Sequence, residues 1–378
     1  MLERLKLLFF PSLIFISSIY ASINVDLLSP LWLSLLPLLP FIMATLALVL
    51  AWHFNKGRVL VLVLLLLLPK LYGDYVSEGS FVAYLVVSCL CIALLSFLPE
   101  RGLMNRFVIN RLLFIFMLVT WCYAIEQKWV SFSFLNFTFL QTNKTWSDVL
   151  LWGVLLVSLS TVFLSWWSSR DAFKACGFIS ILSLIGIHYF SFSGHRLDVL
   201  LAAQFLLWIW FALMEGYRMA YLDDMTKLPA RRALNERLIG LSKRYAIAMV
   251  DVDFFKKFND SYGHDMGDRV LQNVADQMKR WCSPGKAFRY GGEEFTIVFS
   301  NDKKEEIKEV LENVRLNIEE SLIEVFDPKK KKDMEVSVTV SIGLALAEQG
   351  EAPDSTLKRA DAALYVSKKK GRNRVTIA

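Results

Sequence analysis

The sequence predicts two parts of different class: an α-helical membrane bundle of about eight spans over residues 1–214, a helical junction at 215–223, and an α/β or α+β domain over 224–378. Three observations predict it. First, 55% of the 378 residues are hydrophobic and the mean hydropathy is +0.42, too apolar for one water-soluble domain of that length. Second, charge is laid out unevenly: residues 1–215 hold 13 of the 42 Lys and Arg, which leaves 29 for the 163 positions that follow. Third, after Pro229 the long apolar runs give way to short apolar segments alternating with amphipathic ones. The five cysteines (Cys89, Cys91, Cys122, Cys176, Cys282) show no paired metal spacing, and four lie in apolar runs. A disulfide-stapled secreted module is therefore excluded, as are collagen-like and disordered classes.

Apolar stretches at 7–24, 31–52, 58–73, 80–98, 107–125, 147–167, 173–190 and 198–214 are mostly long enough to cross about 30 Å of hydrocarbon as helices. The run from Val59 to Leu68 is the shortest and is closed by Pro69 and Lys70. A tilted, re-entrant or merged element also fits there, so seven or nine spans stay open. With the N-terminus inside, Arg4, Lys6, Lys56, Arg58, Arg101, Arg106, Arg170, Lys174 and Arg218 fall near cytoplasmic ends, against only Lys70, Lys128, Lys144 and Arg196 opposite. This bias predicts an even number of crossings with both termini cytoplasmic. The first segment also fits a secretory signal, but its length favours a retained span.

Between the fifth and sixth spans, Val130, Phe132 and Phe134 alternate with small polar residues, and Phe137 and Phe139 follow. The pattern suits a short strand or interfacial hairpin facing an extracytoplasmic ligand, or an aromatic belt at the headgroups. His188 and His195 read as interfacial packing. No intramembrane Asp or Glu pair marks an ion path, which weighs against a transporter. From Leu213 to Asp224 there is no proline, so the last apolar helix is expected to run on for two or three turns as a rigid junction or a simple tether.

In the polar half, Arg231 to Ser242, Asp265 to Trp281, Lys303 to Ile323 and Ser355 to Lys370 read as helices. Tyr245 to Val250, Phe288 to Tyr290, Phe295 to Phe299, Val336 to Leu346 and Val375 to Ile377 read as strands. Gly291 and Gly292 supply the positive φ of a tight hairpin turn through Glu293 and Glu294.

Asp251 and Asp253 end an apolar strand. Carboxylate oxygens there suit a hard cation such as Mg²⁺, although for one such pair alone a structural role such as a helix cap is the commoner explanation. Glu293 and Glu294 strengthen the metal reading if their hairpin neighbours that strand, because clustered acids repel unless a cation or protons neutralise them. Lys256, Lys368 and Arg372 are cations able to reach nucleotide phosphates. Lys329 to Lys332 read as a solvated loop. P-loop, dinucleotide-binding and zinc-hydrolase motifs are absent from the sequence.

At this point Asp224 to Arg232, Asp251 to Asp268, Arg289 to Phe295, and Ala360-Asp361 through Gly371-Arg372-Asn373 strongly resemble the GGDEF family of diguanylate cyclases, over roughly residues 220–378. The resemblance implies a palm-like nucleotidyl cyclase domain with a central mixed five-stranded sheet, condensing two GTP into cyclic di-GMP and two pyrophosphates. It implies that Asp251, the Val252 carbonyl and Glu293, with Glu294 beside them, hold Mg²⁺ or Mn²⁺, two ions per active half-site, and that Glu293 or Glu294 is the general base. Phe254, Phe255, Asn259, His264 and Asp268 match positions that bind GTP, and Lys256, Lys368 and Arg372 match phosphate contacts. Because each site holds one GTP, it further implies a homodimer through the cyclase domains, with no nucleic-acid partner. The resemblance does not extend to the first half, whose eight-span arrangement is similar to the membrane sensor modules fused to such cyclases and is expected to lie in a bacterial inner membrane.

Departures accompany the match. Cys282 and Gly285 stand where the family's inhibitory motif has Arg and Asp, so no inhibitory site is expected. Lys227 replaces the usual Gly and Ala230 the usual Asn. The alternative function is a non-catalytic membrane receptor whose GGDEF-like domain binds GTP or cyclic di-GMP. A transporter with an appended regulatory domain ranks third.

Overall fold

The computed structural model describes residues 2–72, 78–103, 106–126, 144–169, 171–190, 193–327 and 332–378. The chain divides into two compact units, Met1–Gly216 and Tyr217–Ala378.

The first unit is helical: α1 (Leu2–Ile23), α2 (Pro30–Leu35), α3 (Leu39–His53), α4 (Gly57–Tyr72), α5 (Glu78–Phe97), α6 (Arg106–Glu126), α7 (Lys144–Ser169), α8 (Ala172–Tyr189) and α9 (Gly194–Tyr221). Helices thus stand at all the expected spans. Among the described residues, however, four are long and apolar enough to cross a membrane: Pro30–His53, Trp152–Ser169, Ala172–Tyr189 and Gly194–Tyr221. Leu7–Ile23, Gly57–Leu68 and Tyr84–Phe97 are shorter apolar helices. In α4 the reason is local, since Pro69 and Lys70 end the apolar run. Pro30–His53 is broken by a 3₁₀ turn at Leu36–Leu38, where Pro37 and Pro40 remove amide donors from the helical ladder. The aromatic alternation from Val130 to Phe139 lies outside the described residues.

Polar contacts gather at the two ends of this bundle. At one end Glu100 accepts the first amides of α4, from Gly57 and Arg58 at 3.0 and 3.3 Å, and Lys56 pairs with Glu215 at 3.2 Å. At the other, Lys70 pairs with the buried Asp198 and Arg196 with Asp26. Between them, Ser180 on α8 and Gln204 on α9 bond reciprocally: the Ser180 hydroxyl donates to Gln204 Oε1 at 2.8 Å, and Gln204 Nε2 donates to the Ser180 carbonyl at 3.0 Å.

The second unit is a sheet between two helical layers. Its elements are α10 (Arg231–Ile239), β1 (Ala246–Val252), α11 (Phe255–Tyr262), α12 (His264–Trp281), β2 (Lys286–Gly291), β3 (Glu294–Phe299), α13 (Lys304–Glu320), β4 (Ile323–Asp327), β5 (Lys332–Val336), β6 (Val340–Leu346), α14 (Pro353–Lys369) and β7 (Val375–Ile377). The five-stranded sheet runs β2-β3-β1-β6-β7; β1 is antiparallel to β3 and β6, and β7 is parallel to β6, so the sheet is mixed. Strand alternation sends Ala246, Ala248, Val250 and Val252 into a core with α11, α12 and α13. Ile247 and Met249 go to the opposite core with α10 and α14. β1 is consequently buried along its whole length.

Four elements differ from the sequence reading. The expected strand from Val336 to Leu346 divides, its first residue closing a separate β4–β5 hairpin. The helix expected to reach Ile323 stops at Glu320, because Ile323 starts β4. The helix expected to Ser242 ends at Ile239, ahead of Gly240. α11 was not expected at all, being only Phe255–Tyr262 and hidden between two site motifs. Of the Lys329 to Lys332 run, only Lys332 is described, and it opens β5.

Both departures in the opening motif have physical consequences. Lys227 sits at φ +55°, in the left-handed region that a glycine enters without steric cost. Ala230 is the N-cap of α10 and has no side chain to accept an amide hydrogen. Ala230→Asn is therefore expected to stabilise α10 by about 0.5–2 kcal/mol. Hydrogen exchange at its amides should slow by between about twofold and thirtyfold; unchanged exchange would show that the cap is supplied otherwise.

Candidate active site

Strand parity builds the site. Asp251 follows Ile247 and Met249 on the face of the sheet covered by α14. The last turn of α14 carries Lys368, whose Nζ reaches Asp251 Oδ2 at 2.8 Å. Glu294 opens β3 directly opposite Asp251 in the β1–β3 register. Glu293 lies in the two-residue turn that joins β2 to β3, and its carbonyl accepts the Val252 amide at 3.4 Å. Of the two glycines, only Gly292 has positive φ, at +51°; Gly291 ends β2, opposite Glu294. A single glycine at the first loop position is enough for this reversal.

The turn is tied down by Arg289. Its Nη2 donates to the Gly292 carbonyl at 2.9 Å and its Nη1 to Asp223 Oδ1 at 2.7 Å. Burial raises the Asp223 pKa, but the amide and hydroxyl of Thr226 and the Arg289 guanidinium outweigh it and hold the carboxyl below its ordinary value.

Three acids and one ammonium thus meet at one end of the sheet. Asp251 is 4% exposed. Burial pushes its pKa up against the pull of Lys368, and Asp253 adds to the rise. Glu293 is raised first by burial and then by the charge of Asp251. Glu294 is raised first by burial, then by Asp251 and Asp361. Each carboxylate makes its neighbours harder to ionise, and Lys368 supplies one positive charge among them.

Among the described residues, no three His, Cys, Asp or Glu side chains are spaced to close on one metal ion as they stand. The Lys368 ammonium lies against Asp251 in the position of a cation. The donor chemistry nonetheless fits a hard divalent ion: oxygen ligands only, an excess of negative charge, and a strand-end carbonyl close by.

Asp253 takes a different part from its neighbour. It accepts from the hydroxyls of Thr339 and Ser341, both at 2.7 Å, and from the Asn373 amide at 3.1 Å. It therefore fastens the start of β6 and the turn after α14 to the end of β1. The carboxylate spacing displayed this residue, but only the partners distinguish an anchor from a ligand. Arg372, at φ +65°, places its guanidinium over the ring of Phe254 at 4.3 Å and its Nε 4.0 Å from Asp253. Phe254 is itself left-handed, at φ +57°, and 61% exposed, a strained corner between β1 and α11.

The remaining predicted residues form a second group at the α11–α12 corner. Asn259 Oδ1 is buried without a hydrogen-bond partner, and a Cβ on Gly267 would collide with it. Glycine there lets α12 close on the amide. His264 and Asp268 are exposed one turn apart on the start of α12, and Lys256 is exposed on α11. Phe255 belongs to the core beneath. At the inhibitory positions, Cys282 is buried with its thiol 3.3 Å from the Gly285 carbonyl, and a Cβ on Gly285 would strike Phe299 and Ile297. Neither residue offers a charged group.

Residues 220–374 match the family model "Diguanylate cyclase, GGDEF domain". The C-terminal segment is a GGDEF domain. Diguanylate cyclase A of Treponema denticola is 43% identical over 135 residues, 35% of each chain. Response regulator PleD of Caulobacter vibrioides is 36% identical over 175 residues, 43% of this chain and 37% of its own. The solved coiled coil and GGDEF domain of DgcB from Caulobacter crescentus, in complex with c-di-GMP, is 35% identical and covers 45% of this chain and 92% of its own at a TM-score of 0.41. This chain spans about a third of the length of these curated relatives.

Burial of Glu294, with the crowding of the acids around it, predicts that Glu294→Gln stabilises the metal-free protein. The folded pKa of Glu294 lies above the ordinary 4.5, so its ionised form is penalised by folding at neutral pH and its protonated form is not. In EDTA at pH 7.5 the substitution should raise the thermal midpoint by about 1–3 °C. The gain should vanish below pH 4.5, where the wild-type carboxyl is protonated whether folded or unfolded. A lowered midpoint at pH 7.5 would show that neither burial nor the neighbouring acids penalise the ionised form of Glu294.

Proposed function

We propose that this protein is a membrane-bound diguanylate cyclase that condenses two GTP into cyclic di-GMP and two pyrophosphates under control of its N-terminal region. The observation that carries this reading is the gathering of Asp251, Glu293 and Glu294 around Lys368 at one end of the sheet. In this reading Asp251, the Val252 carbonyl and Glu293, with Glu294 beside them, hold Mg²⁺ or Mn²⁺. The bound cation supplies Lewis-acid stabilisation of charge on the α-phosphate and the departing pyrophosphate.

The protein's own groups do the rest. Lys368, Arg372 and Lys256 bind and orient the phosphates. Asn259 and Asp268, an amide and a carboxylate, read the guanine edge, and the unpartnered Asn259 Oδ1 supports that role. Glu293 or Glu294, its proton affinity raised by its surroundings, takes the proton of the attacking 3′-hydroxyl.

One domain binds one GTP, so the active form is a homodimer of cyclase domains. The first unit forms the membrane anchor, its basic ends facing the cytoplasm. Domain limits follow at 1–214, 215–223 and 224–378. With Cys282 and Gly285 in place of charged residues, product inhibition at that surface is not expected.

Incubating the full-length protein with GTP and Mg²⁺ and separating the products tests the reading. Cyclic di-GMP should form, and Glu293→Ala should reduce it by about a hundredfold or more. Product formation undiminished in that variant would refute the metal assignment. Nucleotide binding without turnover in the wild type would favour a receptor.

α9 runs unbroken from Gly194 to Tyr221, which supports transmission through the junction. Deleting three residues within 214–223 rotates whatever follows by most of a helical turn, and basal activity is expected to change severalfold. Unchanged activity and dimerisation would reduce the junction to a tether.

A further inference from the structure

In the first unit, α4, α5, α6 and the α5–α6 loop enclose a groove of about 320 Å³. Its floor is apolar, with Val61, Cys91 and Leu95 all buried. Leu94, Phe107 and Phe114 on its rim are 48%, 38% and 43% exposed, so the groove opens sideways from the bundle. Polar groups stand at one end only: Arg101, Asn110 and Arg111.

Arg111 is the unusual member. Its Nη2 donates to the Pro99 carbonyl at 3.1 Å, whereas Nη1 is buried and has no hydrogen-bond partner. A buried cationic donor without an acceptor is strongly disfavoured. The neighbouring acid cannot serve it. Glu100 Oε1 already accepts the amides of Gly57, Arg101 and Gly102, and Oε2 accepts the Arg58 amide and Nε. The Arg101 guanidinium lies over the Phe107 ring at 3.9 Å.

We propose that this groove binds a long-chain fatty acid, its carboxylate on Arg111 and its alkyl chain along Val61, Leu94, Leu95 and Phe114. A carboxylate matches the planar donors of guanidinium. The groove lies at the small end of the range for ligand sites, which suits one alkyl chain rather than the two of a phospholipid. This assignment rests on the reading of the first unit as membrane-embedded, because a sideways opening is then fed from the bilayer.

The test uses the full chain in nanodiscs of zwitterionic phosphatidylcholine, with cis-parinaric acid as the fluorescent probe. Saturable binding is expected, displaced by palmitate but not by hexadecanol or phosphatidylglycerol. Arg111→Gln should weaken it by at least about tenfold, and Arg111→Lys should restore part of the loss. Leu94→Trp, placed on the exposed rim, should block the groove while leaving helical content intact, so it decides the matter if Arg111→Gln does not fold.

Binding that is non-saturable, indifferent to Arg111→Gln and Leu94→Trp, or displaced equally by hexadecanol would overturn the proposal. Equal displacement by phosphatidylglycerol would assign the groove to an anionic phospholipid and overturn it likewise. The readout is independent of nucleotide chemistry, so an inactive cyclase leaves it interpretable. A chain that does not enter the discs refutes the membrane reading itself, and this site with it.

Discussion

The burial of Asp251, Glu293 and Glu294 together at one sheet end is the constraint on which the second unit depends. Burial at one sheet end raises the proton affinity of all three carboxylates, and the charge of Asp251 raises that of Glu293 and Glu294 further. Folding tolerates this only because the surrounding framework is rigid and because Lys368 is delivered to the same point by α14. The framework is visible in the bonds to Asp253 and Arg289. One fastens β1 to β6 and to the turn after α14; the other holds the hairpin to the opening motif. A site that destabilises its own fold while neighbouring anchors hold it in place is a common arrangement where charge must be stabilised later.

Packing explains why Lys368 is there. β1 is buried on both faces, so its side-chain alternation is set by two hydrophobic cores rather than one. A slip of one residue would send Asp251 into the core shared with α11, α12 and α13. Close approach of α14 to β6 requires Gly343, where a Cβ would collide with the backbone of Ala360 and Leu364. That contact brings the end of α14 down to the end of β1. The same logic operates in smaller form at Gly267, which admits α12 to Asn259.

In the first unit the organising feature is the separation of apolar middle from polar ends. Lys56, Arg58, Glu100 and Glu215 are joined at one end, and Asp26, Lys70, Arg196 and Asp198 at the other. Buried Ser180 and Gln204 satisfy each other between α8 and α9, as polar groups in an apolar bundle must. Ser158, Trp166, Trp208 and Arg111 each leave a buried atom without a hydrogen-bond partner, and of these Arg111 is the charged one and lines a groove.

Composition and periodicity were enough to separate an apolar helical half from a polar domain of alternating helices and strands. Both signals are local: they record which residues face water and with what period. The ordered motifs around Asp251, Gly291 to Glu294, and Lys368 to Arg372 were legible for the same reason, since turn glycines and strand-end acids mark themselves. Tertiary structure decided what spacing along the chain cannot express. It divided the strand ending at Leu346, inserted α11 and the β4–β5 hairpin, and gave Asp251 an ammonium partner while making Asp253 an anchor. Two acids two residues apart share a face of the strand and look alike in sequence. What surrounds each one comes from elements roughly 90 to 120 residues away along the chain, and only folding brings those elements near.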